Sequence, residues 1–362
     1  LQVAVKALNG GIGTIKYSIN GNKFTLANSR GEALQGLRRS GVIKDVAEIP
    51  IPMTLPDGKN EISVSICNAN DSICSSETKL THHIDDPHNK QPSLHFLAIG
   101  ISDYRDESLK LKLAAIDAAT LSERLVEQSQ GLYKKIYTPI TLLNHDATTE
   151  NIVKAFDQIS ARVEANDVFI LFLAGHGMAW EGDYHFIPWE AVYKSSEAIA
   201  KASLSEDKLS DLLKRIPTSK SLIILDSCSS GVFADKLLKK EHLAKLMTRG
   251  MEDKSAIDRL RRATGRQVLA ATTGDSRALE GHEGHGLLTW ALLEGLKGSA
   301  SHKKDDGSIS LRDLADFVTE EVPKVTLQKW GFEQIPMPLV LDGSNTFPIA
   351  CKAGYDKPGC NK

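Results

Sequence analysis

Two strongly apolar stretches, VFILFLAGHG (168–177) and SLIILDSCSSG (221–231), decide the fold of this chain. In each, an apolar run leads directly into a small polar cluster, Gly175-His176-Gly177 in the first and Asp226-Ser227-Cys228 in the second. Runs that are apolar on both faces are typical of central strands in a parallel sheet covered by helices. The carboxyl ends of such strands form the edge of the sheet where ligands bind. We therefore expect His176 and Cys228 to meet there if the strands are neighbours.

An imidazole and a thiol at one sheet edge predict nucleophilic catalysis. A thiol is a good nucleophile only as the thiolate, and an adjacent His can take its proton and later give it to the leaving amine. The N–H groups of Gly177 and Cys228 could form an oxyanion hole. Taken alone, a His after a strand is usually an ordinary loop residue, and a single Cys is usually a small buried hydrophobe. The joint placement of both, each beside Gly or Ser, favours catalysis.

Outward from these strands, residues 93–345 alternate between apolar runs and amphipathic stretches, which indicates an α/β fold with a mostly parallel sheet. We predict six strands, at 94–101, 140–143, 168–174, 221–226, 267–272 and 337–342. We predict helices near 113–128, 149–164, 205–215, 287–296 and 311–322.

Residues 1–84 show a different pattern of hydrophobicity. Short runs of alternating apolar and polar residues, such as GTIKYSIN (13–20) and NEISVSICN (60–68), lie between turn residues. This pattern predicts a small all-β, sandwich-like domain of the immunoglobulin type. Because Leu1 falls within strand-like sequence, we expect this domain to be incomplete. The polar, proline-bearing stretch 85–92 is predicted to be a linker, and 346–362 a tail.

The charges of the chain nearly balance, with 44 basic residues, 46 acidic residues and a net charge of −2. Proteins that bind nucleic acids or membrane surfaces usually carry a basic excess, so we expect neither partner. The longest apolar run is about eight residues, well short of the roughly 20 that span a bilayer. The expected partner is a protein or peptide substrate. The sequence leaves the oligomeric state open, and a monomer is favoured.

The five cysteines fall into two close pairs and one single residue. Cys67 lies near Cys74, and Cys351 lies near Cys360, whereas Cys228 stands alone. Two disulfide loops and one free reactive thiol fit this spacing and favour an extracytoplasmic or secreted protein. Five unrelated thiols in a cytoplasmic protein are the alternative. Neither spacing matches a zinc site.

The chain resembles the caspase–haemoglobinase clan, and within it the prokaryotic caspase-like proteins and metacaspases. The matching segments are FLAIGISDY, LAAIDAATLSERL, FILFLAGHG, YHFIPWEA, LIILDSCSSG, VLAATT and GHGLLTWALLEGLKG. His176 lies about 50 residues before Cys228, as the catalytic His does in caspases. Ser229 departs from the His that metacaspases commonly have there, and we expect a small effect because this side chain follows the nucleophile.

The resemblance implies a caspase-like six-stranded sheet and a cysteine endopeptidase with His176 and Cys228 as its dyad. It also implies a large-subunit part at 93–231, a charged linker at 232–266 and a small-subunit part at 267–345. The linker could be a site of self-cleavage, a pair of surface helices or a nucleic-acid patch. Interspersed acids and the lack of interleaved aromatic residues argue against the patch.

The resemblance further implies a primary specificity pocket, S1. In metacaspases the acids at the positions of Asp117 and Asp226 line this pocket and select Arg or Lys. A second interpretation of Asp226 is that it caps the following helix. His285, in the matching segment GHGLLTWALLEGLKG, is implied to be a structural element rather than the catalytic base. His185 lies in strand-like sequence and is also expected to be structural.

The chemistry of the dyad requires no cofactor, but calcium-dependent metacaspases carry an acidic cluster outside it. The candidates in this chain are Glu190, Glu206, Asp207 and Asp235, since hard oxygen ligands suit Ca²⁺. Two of the candidates are Glu where Asp is expected, and isolated acids are usually solvated.

Three other functions compete with a peptidase that cleaves after basic residues. One is a catalytically silent caspase-like interaction module, against which the intact pair of His176 and Cys228 argues. Another is a caspase-like peptidase with a different preference for P1, the residue that precedes the cleaved bond. The third is a different cysteine hydrolase or transpeptidase on the same scaffold.

Overall fold

The chain divides into two compact units, Leu1–Asn89 and Lys90–Lys362. The computed structural model describes residues 1–5, 12–26, 47–51, 53, 55–56, 58–68, 70–84, 91–228, 243–271, 280–300, 307–339, 346–352 and 360. The division falls within the predicted linker at 85–92. Among the described helices, none combines the length and the apolar character that crossing a bilayer requires.

The first unit is all-β over its described residues. Its strands are β1 (Gln2–Val5), β2 (Ile15–Ile19), β3 (Asn22–Leu26), β4 (Ala47–Pro50), β5 (Gly58–Ile66) and β6 (Thr78–Ile84). Four of them form an antiparallel sheet in the order β3-β2-β5-β6, and β1 pairs with β4. A small core of Ile15, Ile49, Ile51, Ile62 and Val64 is buried against these strands. The immunoglobulin-type assignment stays a prediction, because residues 27–46 lie outside the described part.

The second unit is built on a mostly parallel sheet. Its strands are β7 (Ser93–Gly100), β8 (Lys135–Ile136), β9 (Ile140–Leu143), β10 (Val168–Trp180), β11 (Asp183–Phe186), β12 (Leu204–Ser205), β13 (Lys220–Cys228), β14 (Gln267–Ala270), β15 (Glu280–His282), β16 (His285–Gly286), β17 (Ser308–Ser310) and β18 (Pro348–Cys351). The parallel strands β7, β10, β13 and β14 pair in that order, and β9 joins the outer side of β7. The predicted α/β class is therefore confirmed.

Helices cover both faces of this sheet. They are α1 (Ala114–Gln128), α2 (Thr149–Ser160), α3 (Ser196–Ala202), α4 (Glu206–Lys214), α5 (Leu243–Thr264), α6 (Leu287–Glu294) and α7 (Leu311–Trp330). Side chains on successive strand positions point to opposite faces. Accordingly, Phe169 and Leu171 of β10 belong to one buried core, and Ile170 and Phe172 belong to another. Burial on both faces explains why the strand is apolar throughout.

Several elements of the second unit differ from the sequence prediction. The strand predicted at 337–342 is represented by a single antiparallel bridge between Ala270 and Met337, and residues 340–342 lie outside the described part. β10 also runs past its predicted end and turns back antiparallel into β11. Together with the short strands β8 and β12, eight described strands belong to the sheet. The extension begins with Gly175-His176-Gly177, which interrupts the apolar run.

The charged segment predicted as a linker is partly a helix that packs against the sheet. Residues 229–242 lie outside the described part, but α5 buries Ala256, Ile257 and Leu260 in the same core as β10. Arg266, directly after this helix, is 2% exposed. Its guanidinium donates hydrogen bonds to Ser221 Oγ and to three carbonyl oxygens. These belong to Leu213 in the last turn of α4, and to Ile216 and Thr218 after this helix.

Arg266 should contribute more to stability than any exposed charge of this unit. Burial lowers the pKa of Arg266 to about 10, so it stays charged at neutral pH. Replacement in Arg266→Met should lower the free energy of unfolding by about 3–5 kcal/mol, because several buried carbonyl oxygens lose their donors. All four Trp residues lie in the second unit, so urea unfolding followed by tryptophan fluorescence reports on that unit.

The matched control for this prediction is Arg262→Met, which removes an exposed Arg from the last turn of α5. We expect it to change the free energy of unfolding by less than about 0.5 kcal/mol. Equal effects of the two substitutions would show that the buried hydrogen bonds of Arg266 contribute nothing beyond its charge.

Candidate active site

The two polar clusters singled out in the sequence lie side by side at one edge of the sheet. β10 and β13 are parallel, and the last positions of their ladder pair Gly175 with Ser227 and His176 with Cys228. Adjacent strands lie about 4.8 Å apart, so the backbones of His176 and Cys228 are direct neighbours. The backbone pairing thus brings together the two residues predicted to form the dyad.

His176 is held in one orientation by burial and by a hydrogen bond to Leu109. Its Nε2 lies 2.9 Å from the carbonyl oxygen of Leu109. Since a carbonyl oxygen only accepts, Nε2 carries the hydrogen. Burial lowers the pKa of His176 to about 4, although the bond to Leu109 opposes this effect. Above that pH the imidazole is neutral with Nδ1 as its basic nitrogen, which is the state that a general base requires.

Tyr104 supports both the backbone and the ring of His176. Its hydroxyl oxygen accepts a hydrogen bond from His176 N–H at 2.7 Å, and the hydroxyl donates to the carbonyl oxygen of Ile187 at 3.4 Å. The two ring centroids are 5.2 Å apart. Gly175 has a φ of +149°, and a Cβ there would lie 2.7 Å from the Tyr104 hydroxyl oxygen. Only glycine therefore suits this position.

The N–H of Gly177 is not used in the ladder between β10 and β11. Hydrogen-bonded and non-bonded pairs alternate along an antiparallel ladder. Ile187 N–H donates to the carbonyl oxygen of His176, so the adjacent pair of Gly177 and Phe186 is a non-bonded one. The N–H of Gly177 therefore points away from β11, toward the side where β13 ends at Cys228. This direction suits the predicted oxyanion hole.

Ser227, which precedes Cys228, is fixed by Tyr184 of β11. The two hydroxyl oxygens are 2.9 Å apart, and both residues are buried. A Cβ at Gly177 would lie 3.0 Å from Ser227 Oγ and 3.1 Å from the Tyr184 hydroxyl oxygen. The tight packing around Gly177 and Ser227 restricts the backbone that carries His176 and Cys228.

The two acids assigned to the S1 pocket face the same point. A Cβ at Gly286 would lie 3.0 Å from Asp117 Oδ2 and 3.2 Å from Asp226 Oδ2. Asp117 lies in the first turn of α1 and is 3% exposed, whereas Asp226 lies two residues before Cys228 and is half-buried. Two carboxylates that share a small space repel each other and attract a cation.

Three residues of the segment 285–289 hold these acids in place. His285 Nδ1 donates to Asp117 Oδ1 at 2.7 Å, and Gly286 N–H donates to Asp117 Oδ2 at 3.0 Å. Thr289 Oγ1 donates to Asp226 Oδ2 at 2.5 Å. Burial, followed by the charge of Lys297, lowers the pKa of His285, so its imidazole is neutral at pH 7. This histidine therefore adds no positive charge beside the two acids.

The remaining predictions for single residues have mixed outcomes. His185 lies in β11, where its Nδ1 is 2.6 Å from Ser203 Oγ, which agrees with a structural role. The alternative role of Asp226 as a helix cap falls on residues after Cys228, which lie outside the described part.

The four paired cysteines form the disulfides Cys67–Cys74 and Cys351–Cys360. Cys228 is the fifth cysteine.

The calcium candidates are not gathered into one site. Among the residues that the structure describes, no three His, Cys, Asp or Glu side chains are grouped as a metal site requires. Glu190 Oε1 accepts from the N–H of Thr149, and Glu206 Oε2 accepts from the N–H of Tyr184. Asp235 lies outside the described part. Calcium binding stays a prediction, and no chemical step below passes through a metal.

Several residues of this site were not foreseen from the sequence. Tyr104 belongs to FLAIGISDY and Tyr184 to YHFIPWEA, so both lay in segments already noted for their resemblance. His285 and Thr289 lay in a third such segment. The carbonyl of Leu109 carries no sequence signal, because any residue type offers the same backbone oxygen.

A mostly parallel α/β sheet whose two central strands pair a His with a Cys at the end of their shared ladder defines the class of caspase-like proteins. A family model described as the caspase domain, peptidase C14, matches residues 95–342. This chain belongs to that family, and the resemblance stated from its motifs is confirmed.

Two of the solved structures that are similar to this chain come from a bacterium and an insect. A protein from Geobacter sulfurreducens is 17% identical with a TM-score of 0.46, and the match covers 72% of this chain and 98% of the other. Caspase-1 from Spodoptera frugiperda is 13% identical with a TM-score of 0.41, and the match covers 75% of this chain and 97% of the other. A comparison with curated proteins gives no match.

Proposed function

We propose that this protein is a cysteine endopeptidase that cleaves protein substrates after Arg or Lys. Asp117 and Asp226 face the same point, and Asp226 lies two residues before Cys228 in the chain. This convergence is the observation that carries the proposal. A carboxylate pair at this position would attract a cationic P1 side chain and repel an acidic one. Membership of the caspase-domain family supports the peptidase class.

The geometry of His176 supports a defined order of proton transfers. Nδ1 of His176 takes the proton of the Cys228 thiol, and the thiolate attacks the carbonyl carbon of the scissile bond. The oxyanion formed would accept hydrogen bonds from the N–H groups of Gly177 and Cys228. The tetrahedral intermediate collapses when His176 gives the proton to the leaving amine, which leaves a thioester.

Deacylation repeats the sequence with water. His176 takes a proton from the water that attacks the thioester carbonyl, and the second intermediate releases the acid product as the proton returns to Cys228. The bond from Nε2 to Leu109 fixes the ring throughout, because it requires no exchange of protons. Tyr104 keeps the backbone of His176 in register during both steps.

The preference at P1 tests this proposal directly. Matched fluorogenic peptides that differ only in P1 Arg, Lys, Gln or Asp should show kcat/KM for Arg and Lys on the order of 10³-fold above Gln, since a charged pocket left unpaired is unfavourable. Arg should exceed Lys if both carboxylates engage the planar guanidinium. The assays are run with and without Ca²⁺, and Cys228→Ala serves as the blank.

Other outcomes of this assay identify the competing functions. A preference for Asp or an apolar residue at P1 would refute the pocket assignment while leaving a cysteine peptidase. Transfer of the acyl group to an added amine in place of water would indicate a transpeptidase. No cleavage of any peptide, with Cys228 no more reactive toward iodoacetamide in the native protein than in denatured protein, would favour the silent interaction module.

A further inference from the structure

We propose that His285 and Thr289 are positioning residues that fix the orientations of Asp117 and Asp226, and that they thereby determine how well the S1 pocket distinguishes Arg from Lys. This inference rests on the proposed function and adds two specificity-determining residues to it. Both donate to a pocket carboxylate from a part of the chain far away in sequence.

The carboxylates need such support because of their intrinsic freedom. The terminal torsion of an Asp side chain is broad and roughly two-fold, so a carboxylate without a fixed donor turns easily. Among the described residues, His285 donates to Asp117 at 2.7 Å, and Thr289 donates to Asp226 at 2.5 Å. Asp117 is held on its second oxygen as well, by the N–H of Gly286.

The local fold explains why this segment supplies the donors. Gly286 is the N-cap of α6, and its extended φ and ψ of −61° and 147° turn the chain from β16 into the helix. His285 therefore precedes the helix, and its side chain donates to Asp117 in α1. Thr289 lies within α6, is 0% exposed and donates to Asp226 near the end of β13. Any side chain larger than that of Gly286 would begin with a Cβ within 3.2 Å of both carboxylates, so glycine avoids this crowding.

The orientation of the carboxylates should matter more for Arg than for Lys. A guanidinium is a planar fork that binds best when its acceptors are coplanar with it, whereas an ammonium is a compact charge with rotatable donors. Loss of a positioning donor should therefore reduce kcat/KM for P1 Arg on the order of tenfold or more, through KM rather than kcat. The value for P1 Lys should fall less, so the Arg-to-Lys ratio should decrease.

Matched pairs of variants separate this role from a purely structural one. Thr289→Val removes the hydroxyl at almost unchanged volume, and Thr289→Ser restores it. His285→Leu removes the donor, and His285→Asn places an amide N–H near the position of Nδ1. We expect the Arg-to-Lys ratio to fall in the Val and Leu variants and to return to within about threefold of the wild type in the Ser and Asn variants. The rate of Cys228 alkylation by iodoacetamide should stay at the wild-type value in all four.

The outcomes distinguish the failure of this inference from the failure of the proposed function. A wild-type enzyme without a preference for basic P1 residues overturns both. A wild-type enzyme that prefers Arg, together with Val and Leu variants of unchanged Arg-to-Lys ratio, overturns only the roles of Thr289 and His285. Equal losses for Arg and Lys, accompanied by slower alkylation and no rescue by Ser or Asn, would show a structural role.

Discussion

Cys228→Ala should abolish peptide hydrolysis, and His176→Ala should reduce kcat/KM about 10²–10⁴-fold. The first substitution removes the nucleophile. The second removes the only imidazole that the described ladder places beside Cys228, so the thiol loses the base that the proposed mechanism requires. The measurement is kcat/KM on the P1 Arg peptide, combined with the rate at which iodoacetamide alkylates Cys228 at pH 7.

Alkylation distinguishes a loss of chemistry from a loss of fold. In His176→Ala the alkylation of Cys228 should slow, because the thiol loses the base that takes its proton as it attacks. The matched control is His145→Ala, since the His145 side chain is 76% exposed and pairs only with neighbouring Asp146 in the described structure. We expect its activity to equal that of the wild type. Retention of more than a few per cent of activity by Cys228→Ala would exclude Cys228 as the nucleophile.

Asp226→Asn should cause the second largest effect, a fall on the order of 10³-fold in kcat/KM for P1 Arg. The amide keeps the size of the side chain but loses the negative charge that would pair with the guanidinium. Cleavage at P1 Gln should change little, because the uncharged Gln side chain forms no ion pair with Asp226. Alkylation of Cys228 should be unaffected, since Asp226 is proposed to act on the substrate and not on the thiol.

Asp117→Asn should act in the same direction, and the double variant shows whether the acids act together. Because both carboxylates face the same point, their effects on P1 Arg should not add. Asp211→Asn is the control, since this Asp is 68% exposed on α4. An Asp226→Asn enzyme that still prefers Arg to Gln by the wild-type factor would contradict the pocket assignment.

The reliable predictions from sequence rest on strong, local patterns. VFILFLA and SLIILD identified two central strands because burial on both faces requires continuous apolar sequence. The short strands β8, β11 and β12 were missed because two to four residues carry no measurable period. The helix α7 runs on to Trp330 through Pro323, beyond its predicted end at 322, because Val318, Val322 and Thr326 form one buried face across the proline.

The α/β class, the two strands that carry His176 and Cys228, and the family resemblance could all be predicted, because they depend on residues close together in the chain. Three tertiary contacts could not. Leu109 orients His176, Arg266 binds carbonyl oxygens at the end of α4, and His285 and Thr289 donate to Asp117 and Asp226. These contacts join residues about 50 or more positions apart through backbone oxygens and single side chains, and the position of such partners follows only from strand pairing and helix packing.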